Sequence, residues 1–287
     1  MKEKKHPRLP VLIFLVLILF SCSEKKEKEN VATTAPHKVY LIKGSETARP
    51  AIEKILEKFG ETNKDVYINY DGGGSNLGIG SLKNGEADMA FVSRGLTKEE
   101  EEELSKKNTI TDFAFDGILI VVNSLNPVKQ LSLQQLQNIY SGKTKNWKEL
   151  GGNDMPIVLF SRDINSGTYS FFKEHVMFST PFSRDDINLT HNNEITKNIV
   201  QTPGAIGYVG HADIEQGVKA LLLSKEDGGE FVEPNFANIK YLTYPLARKI
   251  ICVFPKNPEA DLKIFLDYLK GQEARQITTD SGLLPVE

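Results

Sequence analysis

Apolar and polar positions along this chain follow two alternating patterns. Short apolar or alternating runs, typical of strands, are followed by segments whose apolar residues recur every three or four positions, as in helices. The strand-like runs lie at 39–42, 66–70, 87–92, 113–122, 157–160, 205–209, 218–223 and 250–254. Helices are predicted at 50–59, 76–82, 98–107, 132–140, 165–176, 192–200, 261–269 and 273–278. This regular alternation predicts an α/β fold.

Two of the strand-like runs are suited to connecting two lobes. The run 113–122 is long and apolar, and we expect it to cross from the first lobe into the second. The run 250–254 is expected to bring the chain back to the first lobe. The predicted first lobe therefore consists of 38–117 plus 243–287, and the second lobe consists of 118–242.

The N-terminus has a pattern of its own. Four basic residues precede an apolar segment, 9–20, which is too short to span a hydrocarbon core of ~30 Å as a stable helix. This is the pattern of a secretory signal, and the Leu19-Phe20-Ser21-Cys22 that follows resembles the lipobox of bacterial lipoproteins. We therefore predict a lipoprotein signal peptide over 1–22, lipidation at Cys22 and a flexible, polar tether over 23–37.

Charge and cysteine content narrow the possible functions. From Cys22 onward the chain has 31 basic and 37 acidic residues, a formal charge of −6, so it lacks the overall basic surface of a nucleic-acid-binding protein. With Cys22 lipidated, Cys252 has no partner for a disulfide and is predicted to be a small buried residue. If the ligand is an anion, local geometry has to hold it rather than bulk charge.

Candidate chemistry recurs where strands give way to helices. At four such places Gly, Ser or Thr residues follow a strand, and the last of these places also carries Arg162. Unpaired N–H groups at helix starts, together with hydroxyl donors, favour an anion, and Arg offers a planar fork that matches two of its oxygens. In an open α/β sheet such strand ends gather at one edge. The four places are 44–47, 72–75, 92–94 and 162–168.

The sequence lacks the motifs of nucleotide-binding, metalloprotease and serine-hydrolase sites. The glycine run 72–74 is not followed by the Gly-Lys-Ser/Thr of a P-loop, and the chain has neither His-Glu-x-x-His nor Gly-x-Ser-x-Gly. We therefore expect no metal, no cofactor and no catalytic residue. Trp147 is expected to pack within a lobe rather than to stack on a ligand.

Several longer stretches carry a family resemblance. They are IKGSETARP at 42–50, GGGSNLGIGSLKNGEADMAFVSRGLTKEE at 72–100, DGILIVVN at 116–123, LQNIYSGKTKNWKELGG at 136–152, SRDINSGTYSFF at 161–172 and TPGAIGYVG at 202–210. In this order they resemble the phosphate-binding subunits of ATP-driven phosphate importers. The resemblance implies a two-lobed periplasmic binding protein of the class II type, with two crossing strands as hinge. It further implies a monomer that captures inorganic phosphate between the lobes and delivers it to an ABC-type permease outside the cytoplasm.

The resemblance also implies the ligands of the phosphate. Carried over position by position, they are Glu46, Thr47, Ser75, Ser93, Arg162, Ser166, Gly167 and Thr168. Arg94 is a further candidate, either as a second positive group or as the partner of Asp88 or Asp71. Asp116 is expected to orient Arg162 by pairing with it.

Glu46 departs from the family pattern, which has a hydroxyl residue at this position. A carboxylate beside phosphate is repelled unless it accepts the proton of the phosphate, which sulfate does not have. Glu46 is therefore either a device for selecting phosphate over sulfate or a side chain that points to solvent.

Three other functions stay open. The same fold could bind sulfate, molybdate or tungstate, it could serve as a phosphatase, or it could be a sensing or adhesion lipoprotein without transport.

Overall fold

The computed structural model describes residues 38–286, so the predicted signal peptide, Cys22 and the tether lie outside the described residues. The strands in this part of the chain are β1 (Val39–Gly44), β2 (Tyr67–Gly73), β3 (Met89–Val92), β4 (Asn108–Asn123), β5 (Gln130–Ser132), β6 (Val158–Arg162), β7 (Ile187–Leu189), β8 (Ala205–Gly210), β9 (Val218–Ala220), β10 (Leu222–Ser224), β11 (Ala247–Pro255) and β12 (Leu284–Pro285). The helices are α1 (Arg49–Thr62), α2 (Ser75–Asn84), α3 (Lys98–Leu104), α4 (Leu133–Tyr140), α5 (Gly167–Phe172), α6 (Asn192–Gln201), α7 (Phe236–Lys240), α8 (Ala260–Leu269) and α9 (Gln272–Asp280). The predicted α/β class is confirmed.

The main sheet runs in the order β2-β1-β3-β11-β4-β8-β6-β7. At one end β2, β1 and β3 are parallel, and at the other end β8, β6 and β7 are parallel. Between these groups β11 and β4 run antiparallel to their neighbours. Each parallel group carries helices, as expected for strands joined by crossover connections.

The long strand β4 belongs to both halves of the sheet. Its first part pairs with β11, up to Gly117 opposite Ala247, and its second part pairs with β8, starting at Ile118 opposite Gly210. The backbone N–H of Ile118 also donates to the carbonyl of Leu246, where the chain enters β11. The two connections between the lobes therefore lie side by side at Gly117–Ile118 and Leu246–Ala247, which is the pair of crossing strands that the resemblance implies.

Each lobe has its own apolar core. In the first lobe Ile42, Ile52 and Phe265 are fully buried between the sheet and α1, α8 and α9. In the second lobe Trp147 is buried, and its indole N–H donates to the carbonyl of Gly204 at 2.8 Å, so the expected packing role is confirmed. Among the described residues, no helix combines the length and the apolar character that crossing a membrane requires.

The structure differs from the predicted elements where local patterns compete with distant partners. The single strand expected at 218–223 is two short strands, because β9 pairs with β4 while β10 pairs with β5. The helix expected from 165 begins at Gly167, because the Ser166 hydroxyl caps it, and it continues as a wider π-type turn over Lys173–Met177. Thr97 and Glu100 form a capping box at the start of α3, and the helix expected over 98–107 ends at Leu104.

Asp186 is a half-buried acid of the second lobe, directly before β7. Its Oδ1 atom is buried and, among the described residues, has no hydrogen-bond partner of normal geometry, although the Ser161 hydroxyl is close enough to oppose the effect of burial. Burial raises the pKa of Asp186 to about 6. The folded state therefore disfavours the ionised form of this carboxyl, and native stability falls as the pH rises from the unfolded-state pKa to the folded-state pKa.

We expect Asp186→Asn to stabilise the protein at neutral pH, because the amide carries no charge to bury. The expected gain in the free energy of unfolding is about 2 kcal/mol near pH 7, and it shrinks to zero below about pH 3, where the wild-type acid is protonated in both states. Urea unfolding over this pH range measures the difference, with the exposed neighbour Asp185→Asn as the matched control. A gain that is the same at every pH would show that packing, not charge, is responsible.

Candidate anion site

The carboxyl ends of five parallel strands meet between the lobes. The segments after β1, β2 and β3 come from the first lobe, and those after β6 and β8 come from the second. Four of the five are the strand ends singled out from the sequence, and the end of β8, which leads into His211–Asp213, is a fifth. The arrangement confirms that the local motifs converge at one place.

Ser75 and Ser93 form one buried pair of hydroxyls. Their Oγ atoms lie 3.2 Å apart, and the backbone N–H of Ser93 donates to Ser75 Oγ at 3.0 Å. Gly167 of the second lobe lies directly against them, so closely that a Cβ atom on Gly167 would overlap both hydroxyls. Glycine is therefore the residue that lets the second lobe approach here.

Thr47 and Thr168 form a second pair, which joins the two lobes. Their Oγ1 atoms lie 3.2 Å apart, and each accepts a hydrogen bond of 3.0 Å from the same nitrogen, Nη2 of Arg248. Both threonines are about 1% exposed. Since the guanidinium occupies a lone pair of each oxygen, at least one threonine O–H remains to donate to a ligand.

Arg248 is held by Asp116, and the sequence analysis missed it. The two residues face each other across β11 and β4, and Asp116 Oδ2 accepts from Nη2 at 2.6 Å and from Nε at 2.9 Å. Nη1 donates to the Ser93 carbonyl at 2.8 Å. The expected pairing of Asp116 with Arg162 is wrong. A signal did exist, because a lone acid at the start of an apolar strand requires a buried cation, and Arg248 lies at an inward position of β11.

Arg162 is 1% exposed at the end of β6. It donates to the carbonyls of Leu189 and Thr190 and to the side-chain oxygen of Asn192. Burial lowers the pKa of Arg162, but a guanidinium stays protonated in proteins. These acceptors are all neutral, and within residues 38–286 no carboxylate contacts this guanidinium directly.

Ser166 has a structural contact. Its Oγ accepts from the backbone N–H groups of Thr168 at 3.1 Å and of Tyr169 at 3.3 Å, which caps α5. Since a hydroxyl keeps its own proton while it accepts, this contact leaves the Ser166 O–H able to donate.

Arg94 is turned away from the hydroxyl pairs. Its guanidinium forms a two-pronged ion pair with Glu100 at 2.7 and 2.8 Å, and its Nε donates to Asn76 Oδ1 at 2.9 Å. The expected pairing with Asp88 or Asp71 is wrong, since these acids contact Lys38 and Lys43. The Asn76 side chain in turn donates to the Ile164 carbonyl of the second lobe at 2.8 Å. Arg94 therefore supports a contact between the lobes.

Glu46 is neither solvent-exposed nor free to accept a proton. Its carboxylate accepts from Arg49 Nε and Nη2, both at 2.9 Å, and from the Gly73 N–H at 2.7 Å, and it lies 3.2 Å from His191 Nδ1. Although burial opposes ionisation, the hydrogen bonds from Arg49 and Gly73 hold the pKa of Glu46 below its usual value. With four donors around two oxygens, only its backbone is left for a ligand. The contact with His191 links the first lobe to the second.

The structure thus brings five of the nine candidate residues into one cluster and places Arg162 at the end of β6, with Glu46 and Arg94 directed elsewhere and Ser166 serving as a cap. The five are Thr47, Ser75, Ser93, Gly167 and Thr168. Within residues 38–286, no three His, Cys, Asp or Glu side chains are placed to hold a metal ion.

Comparisons with known proteins agree with this architecture. Residues 30–273 match the sequence profile described as a PBP superfamily domain. A phosphate-binding protein PstS from Bacillus subtilis is 30% identical over 295 residues, which cover 100% of this chain and 95% of that protein.

Solved structures give the same picture. A phosphate ABC transporter substrate-binding protein with bound phosphate, from Clostridium perfringens, superposes with a TM-score of 0.79 at 31% identity, over 87% of this chain and 100% of that one. An ABC-type phosphate transport receptor from Vibrio cholerae reaches a TM-score of 0.74 at 29% identity, over 86% of this chain and 100% of that one. Together with the matched residues, these likenesses identify a two-lobed fold. The chain belongs to the PBP superfamily and, within it, to the family of proteins named phosphate-binding protein PstS.

Proposed function

We propose that this protein captures inorganic phosphate between its two lobes and delivers it to the membrane permease of an ABC importer. The observation that carries the proposal is the cluster of four buried hydroxyls, from both lobes, around the guanidinium of Arg248, with the buried Arg162 at the end of β6. Among the described residues, Arg248 contacts a carboxylate and Arg162 does not. Hydroxyl donors and an arginine fork suit a tetrahedral oxyanion. The names of the relatives support phosphate as that anion.

Binding proceeds by closure of the lobes, which are 38–117 plus 243–287 and 118–242 in this proposal. In the open state phosphate meets Thr47, Ser75 and Ser93 of the first lobe. Closure then adds Gly167 and Thr168 of the second lobe. Burial strengthens each charge-assisted bond, and the anion favours closure only through these added contacts.

The two arginines have different roles in this scheme. Arg162 has five N–H donors, and the acceptors Leu189, Thr190 and Asn192 take three of them, so two remain for phosphate oxygens. Arg248 donates into the two threonine hydroxyls and supports the anion through them. Ser166 adds its own O–H, and Glu46 adds its backbone N–H. Arg94 holds Asn76 at the contact between the lobes.

The protein acts outside the cytoplasm, as a monomer anchored through a lipid at Cys22 and tethered by residues 23–37. The N-terminal sequence supports this part of the proposal, since a charged start, a short apolar segment and a Cys form a lipoprotein signal. The anchor keeps the receptor close to its permease. The protein releases its ligand chemically unchanged, because the proposed site includes no nucleophile and no metal-bound water.

Titration calorimetry of residues 23–287, refolded to strip bound ligand, tests the ligand. We expect one phosphate per chain with heat of binding and no comparable heat with sulfate, molybdate or tungstate. If phosphate gives no heat of binding and another oxyanion does, the protein is a receptor for that other oxyanion. Turnover of a chromogenic phosphate ester would contradict a purely binding role.

Gly167→Ala is expected to weaken phosphate binding more than about tenfold, because the new methyl group collides with Ser75 and Ser93 and keeps the lobes apart. The melting temperature should change little, since the collision lies between lobes rather than inside one. Gly80→Ala is the matched control, because a Cβ at Gly80 meets no atom within 4 Å. Wild-type affinity in Gly167→Ala would place the anion away from this contact.

Glu46 and His191 are expected to stabilise the closed state together. Glu46→Gln and His191→Ala should each weaken phosphate binding, and the double mutant should be less affected than the two effects combined. The coupling should correspond to about two- to fivefold in affinity, because His191 is half exposed. Glu53→Gln is the control, since Glu53 is an exposed residue of α1 that pairs with Arg49 within the first lobe. Additive effects would show that the two side chains do not interact when phosphate is bound.

A further inference from the structure

Asp213 lies beside the anion site and was not singled out by its sequence. It ends the short turn His211–Asp213 that follows β8, the fifth strand end of the site. A Cβ atom on Gly210 would lie 3.0 Å from Asp213 Oδ2, 3.1 Å from Thr47 Cγ2 and 3.6 Å from Asp116 Oδ1. These three side chains therefore surround the same glycine, and Asp213 borders the site from the second lobe.

The two acids at this glycine have different partners. Asp116 accepts two hydrogen bonds from Arg248 and one from the backbone N–H of His211. Asp213 Oδ2 accepts one, from the Asn192 amide at 2.7 Å. Among the described residues, no Lys, Arg or His forms an ion pair with Asp213. Asp213 is thus the weakly compensated acid of the pair.

Asn192 connects Asp213 to the proposed phosphate-binding arginine. Its side-chain oxygen accepts from Arg162 Nη1 while its NH₂ group donates to Asp213. Asn192 is 3% exposed. A change of charge on Asp213 therefore reaches Arg162 through a single buried amide.

Charged groups face Asp213 from several elements. Asp116 comes from β4, Arg248 from β11 and Arg162 from β6, while His211 belongs to the same turn and α6 presents the neutral Asn192. Burial first, and then the charge of Asp116, raise the pKa of Asp213 to about 7. A dianion arriving at the two arginines adds negative charge near this carboxyl and makes its ionised form still less favourable.

We propose that Asp213 makes anion capture proton-coupled, so that the site takes up a proton from solvent together with its phosphate. The inference rests on the proposed function. In the balanced step, the Asp213 carboxylate, one proton from the buffer and one hydrogen phosphate give a bound hydrogen phosphate beside a neutral carboxylic acid. No covalent bond to phosphorus changes.

The pH dependence follows from linkage. Below the pKa of Asp213 in the free protein the acid already carries its proton, so binding takes up none. Above it the acid is ionised and binding requires a proton, so the affinity falls as the pH rises, by up to tenfold for each pH unit. The effect ends where Asp213 stays ionised even in the complex.

Calorimetry at about pH 8 in two buffers with different heats of ionisation counts the protons taken up. With phosphate as the probe and residues 23–287 as the protein, we expect the wild type to take up between about half a proton and one proton more than Asp213→Asn. The titration of phosphate itself contributes equally to both and cancels. Asp185→Asn, an exposed acid of the same lobe, should behave as wild type.

The outcomes separate this inference from the proposed function. If the wild type binds phosphate and takes up no proton beyond that of phosphate itself, the coupling is wrong while the function stands. Equal uptake by wild type and Asp213→Asn would likewise overturn it. If the wild type does not bind phosphate at all, the proposed function fails first. If Asp213→Asn does not fold, Asp213→Ser replaces it in the comparison. If neither variant folds, the number of protons that the wild type takes up decides the test.

Discussion

The buried ion pair between Asp116 and Arg248 is the interaction on which the rest of the site depends. It joins the two crossing strands at facing positions, where the side chains are 0% and 1% exposed. From this place the guanidinium also reaches Ser93 and Thr47 of the first lobe and Thr168 of the second. Removing one partner of such a pair typically costs about 3–5 kcal/mol, because the other charge is left buried without compensation. The hinge is thus also the base of the site.

This position of Arg248 explains how an acidic protein can offer an anion site. The chain has 35 basic and 38 acidic residues, so its overall charge does not attract anions. Within the cleft, however, guanidinium groups and hydroxyls are buried, where their interactions are screened much less than at the surface. Arg248 donates to Thr47 and Thr168, which leaves at least one of the two threonine O–H groups to donate into the cleft. The charge balance of the surface and that of the site are therefore independent.

The sequence was sufficient for features that depend on neighbouring residues. The strand ends near Gly44, Gly73 and Val92 are local patterns, and parallel pairing brings them to one edge whatever the side chains do. Side-chain partners are a different matter. Asp116 and Arg248 are separated by 132 positions, and only the register of β4 against β11 brings them together.

Arg94 and Glu46 also show that local sequence patterns do not reveal side-chain partners. Both lie at strand ends, where a ligand was expected, yet each has a better partner nearby in the sequence, Glu100 for Arg94 and Arg49 for Glu46. A side chain with an ideal local partner does not need the anion, and strand-end position alone cannot reveal this. Asp213 escaped notice because its strand end has Gly210 but none of the Ser or Thr residues that marked the other four.

Three acids around one site therefore differ in what surrounds them rather than in kind. The Glu46 carboxylate faces four hydrogen-bond donors and stays ionised. Its negative charge is compensated by Arg49 within the first lobe. Asp116 is matched by Arg248 and serves the hinge. Asp213 accepts one hydrogen bond, from the Asn192 amide, so its protonation state is sensitive to an anion that binds in the cleft. An acid so weakly compensated is tolerated beside an anion site because a proton, unlike a side chain, can be gained when the anion binds and lost when it leaves.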